Sequence, residues 1–342
     1  ARASSTELVL DLQSAQSASS QVQGQFRLSN LDAPDVAFQG KVTVATAEFL
    51  RWIGITTWDQ AVGSAAGTLA FSQHYASLDE LGTQGVWGGM WSGTLALSPG
   101  TWRPQGNELP VGIQRGTLTL RGQDVELRDL QLTVGQSDAV VSGTVANALN
   151  DRGMAYDLQV SSKQLNAGQI ADSELWNGLW TGPVDPNDPP FNDPYRVNLQ
   201  VGRLHYDDLH LSNVRSLIVG RGPNFSFQQT AADLGGGQIR GTGTWTAAEP
   251  DGGNLQTQLQ FARVRLSTLL REVDNFKQTT ITAANVDGIL DATASIQVDF
   301  DASCDWVPSS LVAEVNFSLE GGRLREVDAL QQLARFAEVE DL

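Results

Sequence analysis

The sequence predicts a mainly β protein: an elongated antiparallel sheet, built by repetition and curled into a trough or half-barrel, with a few short helices and with a β-sandwich as the alternative. Three observations carry this. The segment Leu204-His205-Tyr206-Asp207-Asp208-Leu209-His210-Leu211 reads as a hairpin whose Asp-Asp turn sets Tyr206 opposite Leu209 and Leu204 opposite Leu211, all four on one face. An earlier copy places Leu118 and Leu120 before an Arg121-Gly122-Gln123-Asp124 loop and Val125 and Leu127 after it. Each copy then slips phase once, because Leu127-Arg128-Asp129-Leu130 and Leu211-Ser212-Asn213-Val214 space their apolar residues as a β-bulge does.

Period-two alternation predicts further strands at Phe26 and Leu28, Phe38–Val44, Leu95 and Leu97, Tyr156–Val160, Val197–Val201, Leu255–Phe261, Ile296–Phe300 and Leu311–Leu319. Gln, Thr, Ser, Asp and Arg fill the intervening positions. Helical spacing is confined to Ala47–Ile53, to Ser267–Phe276 with Ser267 as N-cap, and to Val327–Val339, where Leu330, Leu333 and Phe336 form one stripe. The expected organisation is a β-rich segment over 1–110, a β repeat over 111–182, a Pro/Asp-rich linker or loop over 183–196, and a second β repeat with a terminal helix over 197–342. All of these fit within one continuous domain. The chain begins inside an alternating stretch and stops just after a helical one, as a fragment of a longer protein would.

Composition narrows the function classes. The 342 residues include Lys+Arg 22 against Asp+Glu 39, a formal charge of −17, and no basic stripe, so nucleic acid is not an expected partner. The lone Cys304 makes no intrachain disulfide, and no apolar run is long enough to span a bilayer.

Chemistry-bearing residues are sparse, and the chain is expected not to be an enzyme. His205 and His210 face each other across the Asp207-Asp208 turn, but two ligands make half a metal site, and an exposed cross-strand pair is the simpler reading. Asp185, Asp188 and Asp193 lack the glycine and terminal glutamate of a calcium loop. Gly235-Gly236-Gly237 lacks the spacing and following helix of a dinucleotide fingerprint and reads as a turn. There is no Gly-x-Ser-x-Gly elbow. The pairs Trp87/Trp91 and Trp176/Trp180 fit packing better than sugar stacking, and Asn224-Phe-Ser and Asn316-Phe-Ser are short enough to arise by chance. No catalytic residue, metal or cofactor is therefore expected.

So many amphipathic strands make a wide apolar face that three short helices cannot cover. Either a second sheet closes over it as a sandwich, or the sheet curls into a trough that lines something else.

Residues 202–214 (Gly-Arg-Leu-His-Tyr-Asp-Asp-Leu-His-Leu-Ser-Asn-Val), 232–243, 259–270, 285–292 and 311–324, followed by the Val327–Phe336 helix, resemble the C-terminal region of the AsmA-like family. That region runs from a hairpin through a glycine-rich turn and a short helix after an L-x-x-L-L stretch to a final x-G-x-L hairpin and helix. Residues 116–165 resemble an earlier repeat, and residues 1–110 match in style alone. The family's N-terminal anchor and the strands after its last helix have no counterpart here. The resemblance implies a trough similar to that of TamB-type proteins and of bridge-like lipid carriers. It implies a bacterial envelope protein of the periplasm, tethered to a membrane through a segment outside this chain, which carries or shields phospholipid or other acyl chains. Such a protein would contribute to inter-membrane lipid transport or outer-membrane assembly, with envelope membrane proteins as partners. The lining would include Leu118, Leu120, Val125, Leu127, Leu204, Tyr206, Leu209, Leu211, Leu259, Phe261, Val315, Phe317 and Leu319. A non-enzymatic sandwich scaffold or adhesin is the alternative, and a polysaccharide-acting β-helix enzyme the third reading.

Overall fold

The computed structural model describes residues 2–3, 7–17, 19–52, 58–84, 89–106, 108–149, 153–172, 192–248, 252–277, 279–301 and 305–325. The chain is mainly β and divides into two compact units, residues 1–162 with 169–197, and residues 163–168 with 198–342.

The first unit holds β1 (Arg2–Ala3), β2 (Glu7–Gln16), β3 (Gln21–Ser29), β4 (Asp35–Ala45), α1 (Thr46–Trp52), β5 (Trp58–Val62), β6 (Ser64–His74) and α2 (Leu78–Gln84). It continues with β7 (Met90–Leu97), β8 (Gly100–Pro104), β9 (Val111–Gly122), β10 (Asp124–Val134), β11 (Ser137–Ala146) and most of β12 (Ala155–Asn166). A helix α3 (Ala167–Asp172) follows β12. Pairing runs β1-β2-β3-β4-β6-β7-β9-β10-β11-β12, antiparallel throughout. The long β9 takes β7 along residues 116–122 and β8 along residues 111–113, and β8 in turn pairs with β5. Strand pairing therefore crosses the expected division at residue 110.

The second unit is a meander of most of β13 (Pro194–Tyr206), with β14 (Leu209–Arg221), β15 (Asn224–Leu234), β16 (Gly237–Ala247), β17 (Gly253–Arg265), β18 (Val286–Phe300) and β19 (Val312–Leu324), and with α4 (Leu266–Glu272) between β17 and β18. Each pair from β14 to β19 is antiparallel. In each unit the strands make one open sheet, neither two facing sheets nor a closed barrel. The sandwich alternative is thus not the architecture. Nor is the parallel β-helix, because the pairings within the first unit and from β14 to β19 run antiparallel.

Both predicted hairpins form in the predicted register. Asp124 pairs with Arg121, Val125 with Leu120 and Leu127 with Leu118, so Gly122 and Gln123 are the turn, and Gly122 sits at φ +69° where a type II′ turn requires a positive first residue. At the other, Asp207-Asp208 joins β13 to β14, and the rings of His205 and His210 meet at 4.7 Å across the pair. Alternation then sends Tyr206 and Leu209 to the opposite face. Gly235-Gly236 is likewise a two-residue turn, with φ +57° and +80°, and closes Leu234 against Gly237.

The phase slips are bulges, and there are more of them than the sequence suggested. Register shifts fall between Leu127 and Leu130, Ser212 and Arg215, Phe227 and Thr230, and Phe261 and Val264. At each, one non-glycine residue turns left-handed: Asp129 at φ 48°, Asn213 at 51°, Gln229 at 50° and Arg263 at 54°. Asp and Asn tolerate this conformation, which is how two of the four were legible; Gln and Arg carry no such mark. The extra residue restores phase, so that Leu127 and Leu130, or Phe261 and Val264, serve the same face.

The helices differ in part from expectation. The predicted helix at Ala47–Ile53 appears as α1, but Ser267 does not cap α4. Arg265 holds the N-cap position without a side-chain hydrogen bond, and Ser267 lies inside the helix. α4 stops at Glu272, and a separate 3₁₀ turn covers Asp274–Lys277. The α2 helix was not expected, although Ser77-Leu78-Asp79-Glu80 has the sequence of a capping box: Glu80 N–H donates to Ser77 Oγ at 3.2 Å, while the Glu80 carboxylate accepts from Ala76 N–H, one residue before the N-cap. Of the linker, Pro194-Tyr195-Arg196 open β13, where a proline is tolerated because it is the strand's first residue. The Val327–Val339 helix and residues 183–191 lie outside the described residues.

If the bulge geometry is intrinsic, Gln229 responds to residue type rather than to size. Gln229→Val is expected to be about 1–2 kcal/mol less stable than Gln229→Gly in urea unfolding, because a β-branched side chain resists the left-handed region. Equal stability of the two variants would contradict this.

Candidate functional site

In the second unit the register aligns side chains into rows across the sheet. One row on the apolar face runs Ala232, Ile239, Phe261, Ala292 and Phe317; the next runs Thr230, Gly241, Leu259, Ala294 and Val315. Beyond them lie Phe227, Gly243, Thr257, Ile296 and Ala313, then Phe225, Trp245, Leu255 and Val298. The reverse face pairs Arg240, Gln260, Thr293 and Asn316, and beside them Thr242, Gln258, Ser295 and Glu314. A single sheet thus gathers hydrocarbon on one face, interrupted by Thr230 and Thr257, and charged and amide side chains on the other.

Aromatic rings and glycines alternate on the apolar face for a steric reason. A Cβ on Gly243 would fall inside the ring of Phe227, its cross-strand partner, and one on Gly253 would fall inside the indole of Trp245. The rings therefore lie down over bare backbone, which shields it where a side chain is missing. Trp245 sits between Phe225, at 6.2 Å between ring centroids, and Phe300, at 5.3 Å.

The first unit repeats this device. Leu10, Phe26, Phe38, Phe71 and Trp91 form an aromatic row, with Phe71 and Trp91 at 4.7 Å between centroids. Beside it run Leu12, Gly24, Gly40, Leu69, Gly93, Leu120 and Val125, and then Val22, Val42, Gly67, Leu95, Leu118, Leu127, Gly143 and Leu158.

The expected lining residues are brought onto these faces, though with different exposure. Leu118, Leu120, Val125 and Leu127 share one face of the first unit, and Leu120 is buried within its core. Leu259, Phe261, Val315, Phe317 and Leu319 share one face of the second; Val315 is 51% and Phe317 69% exposed. Leu204 and Leu211 pack on the buried Val201, Val214 and Ala232, whereas Tyr206 is exposed at the hairpin tip. Sequence reasoning missed Ile239, Trp245, Ala292 and Ala294, as it missed Phe71 and Trp91. In β16 the alternation Ile239-Gly241-Gly243-Trp245 is interrupted by glycines, so the apolar period does not show.

One end of the apolar face in the second unit is covered by α4. Leu269 joins Leu234, Val264, Leu290 and Ala292 in a buried cluster, with Leu266, Leu211 and Phe261 packed against it. Glu272 at the helix end ties down the hairpin. Its carboxylate accepts the His210 N–H at 2.6 Å and lies 3.0 Å from His210 Nδ1, which is also 2.7 Å from the Asp208 carbonyl. The hydrogen bond with Glu272 is the main cause that raises the His210 pKa; desolvation opposes it, and the Asp208 carbonyl and the charges of Glu272 and Asp208 add to the rise. This partner lies 62 residues from His210, beyond the reach of local pattern reading.

No group of three or more metal-ligating side chains occurs among the described residues. Asp193 accepts the Met154 N–H at 2.9 Å, while Asp185, Asp188, Trp87, Trp176, Trp180 and Cys304 lie outside the described residues. No described helix is long and apolar enough to cross a membrane. A hollow of about 860 Å³ lies on the polar face over Arg240, Gln258, Gln260, Thr293, Ser295 and Asn316. Compared with protein-family models, curated proteins and solved structures, the chain matches none.

The His210–Glu272 contact has a defined pH sign. Because the folded pKa is raised, its stabilisation is full below the ordinary histidine value of about 6.5 and fades as pH rises through the folded value. An NMR titration of the His210 imidazole is expected to give a midpoint above that ordinary value, falling back toward it in Glu272→Gln. A midpoint unmoved by the substitution would exclude the contact.

Proposed function

We propose that the apolar sheet faces bind acyl chains, so that the protein carries or shields phospholipid or a similar lipid within a β-sheet groove. The observation that supports this most is that neighbouring apolar rows run across an open single sheet, including Phe261, Ala292 and Phe317, and Leu259, Ala294 and Val315, with the charged and amide side chains of those strands on the reverse. Exposing an acyl chain of roughly sixteen carbons to water costs on the order of 10 kcal/mol at about 0.8 kcal/mol per CH₂. A strip of hydrocarbon side chains removes much of that cost without a nucleophile, metal or cofactor. The AsmA-like pattern of residues 202–336 agrees with a role in inter-membrane lipid transport or outer-membrane assembly in the bacterial periplasm. On this reading the chain is a non-enzymatic component of the envelope, tethered through a segment outside it, and membrane proteins there are its partners.

Exposure separates lining from core and so supplies the test. Phe317→Asp puts a charge on the apolar face where water already reaches, and is expected to change unfolding free energy by less than about 1 kcal/mol while phospholipid disappears from solvent extracts of the purified protein. Leu120→Asp buries an unpaired carboxylate and is expected to cost on the order of 4 kcal/mol. Wild-type protein that yields no lipid by mass spectrometry, whether purified from cells or incubated with phospholipid vesicles, would defeat the proposal.

A further inference from the structure

We propose that His205 and His210 form a binding site for one divalent transition-metal ion, of the class of Zn²⁺ and Cu²⁺, at the tip of the β13–β14 hairpin, with Glu272 as the carboxylate that orients His210. The two histidines stand one step out from the Asp207-Asp208 turn, on the face opposite Leu204 and Leu211. In a hairpin with a two-residue turn this is the non-hydrogen-bonded pair, where facing side chains come closest.

The spacing of the rings fits a shared ion. Two imidazoles bound at about 2.0–2.1 Å, with their nitrogens roughly 90–110° apart at the metal, hold their ring centroids roughly 4.5–5.2 Å apart. The centroids of His205 and His210 are 4.7 Å apart, so the hairpin backbone already sets this distance.

The tautomer of His210 also suits a ligand. Its Nδ1 lies 2.7 Å from the Asp208 carbonyl oxygen, which can only accept, and 3.0 Å from the Glu272 carboxylate. Nδ1 therefore carries the hydrogen, and the lone pair of the neutral ring is on Nε2. A carboxylate behind the other nitrogen is the usual support of a metal-bound histidine, because it fixes the ring and makes the ligating nitrogen a better donor. Glu272 is anchored for that role: it also accepts the His210 backbone N–H at 2.6 Å, and its side chain is 15% exposed against 54% for His210. Imidazole nitrogens select zinc, copper or nickel over calcium and magnesium. With two protein ligands the remaining positions belong to water, so binding is weaker than at a four-ligand structural site. The inference concerns the hairpin and α4 and stands apart from the lipid reading.

The test titrates Zn²⁺ into the whole chain carrying Cys304→Ser, which removes the lone thiol as a competing ligand. Mildly alkaline buffer keeps protons from competing for the imidazoles. One equivalent is expected to move the NMR ring signals of His205 and His210 together while leaving those of His74, which pairs with Asp35 at 2.8 Å, in place. By calorimetry, His205→Ala and His210→Ala are each expected to abolish binding, and His74→Ala to retain it. His205→Gln keeps a polar side chain at the same position and is expected to lose binding too, so a folding defect in the alanine variant does not decide the result. Glu272→Gln keeps an oxygen for the His210 N–H but loses the charge, and is expected to weaken binding about tenfold. The proposal is overturned by a parent chain that binds no Zn²⁺, by binding that survives substitution of either hairpin histidine, or by unchanged affinity in Glu272→Gln.

Discussion

Everything in this fold depends on keeping side-chain phase across a long antiparallel ladder. Because successive residues point to opposite faces, a slip of one residue would carry every apolar side chain of a strand to the polar side. Strands of up to 15 residues, such as β18, leave many chances for such a slip. The left-handed residues Asp129, Asn213, Gln229 and Arg263 absorb the extra residue at four register shifts, after which the face is recovered. Three of them are held by polar contacts outside the ladder: Asp129 N–H donates to Ser142 Oγ at 3.0 Å, the Asn213 side-chain amide donates to Asp233 Oδ2 at 2.7 Å, and Arg263 N–H donates to Asp291 Oδ1 at 3.0 Å.

Phase alone would leave gaps in the apolar face, and the pairing of rings with glycines fills them. Where Gly243 faces Phe227, or Gly40 lies beside Phe38, the ring covers peptide backbone that would otherwise meet water. The same residue types do this in both units. A surface assembled this way stays apolar without a second layer of secondary structure, which is what binding an acyl chain in place of another sheet requires.

The sequence was most legible where structure is local. Both hairpins, their registers and the first two bulges follow from neighbouring residues, as does α1. The capping box at Ser77–Glu80 was equally local and was overlooked because α2 is short and carries no apolar stripe. Three features had no local signal. The bulges at Gln229 and Arg263 use residue types that do not favour left-handed backbone; the face of β16 is written in glycine; and Glu272 reaches His210 only because α4 folds back on the hairpin. Of the lining, parity was correct, since all the expected residues whose strand register is known fall on an apolar face. Exposure was not readable from residue type, and Leu120 and Phe317, both apolar and in phase, differ between buried and open.

The central claim is that the apolar face of the sheet meets lipid hydrocarbon. Trp245 lies on that face between Phe225 and Phe300, and its fluorescence reports what approaches it. In a variant retaining Trp245 as its single tryptophan, phospholipid bearing a quencher partway along one acyl chain should quench the emission strongly, while the same quencher on the headgroup should have little effect. Equal quenching by both lipids, or none by either, would contradict the account.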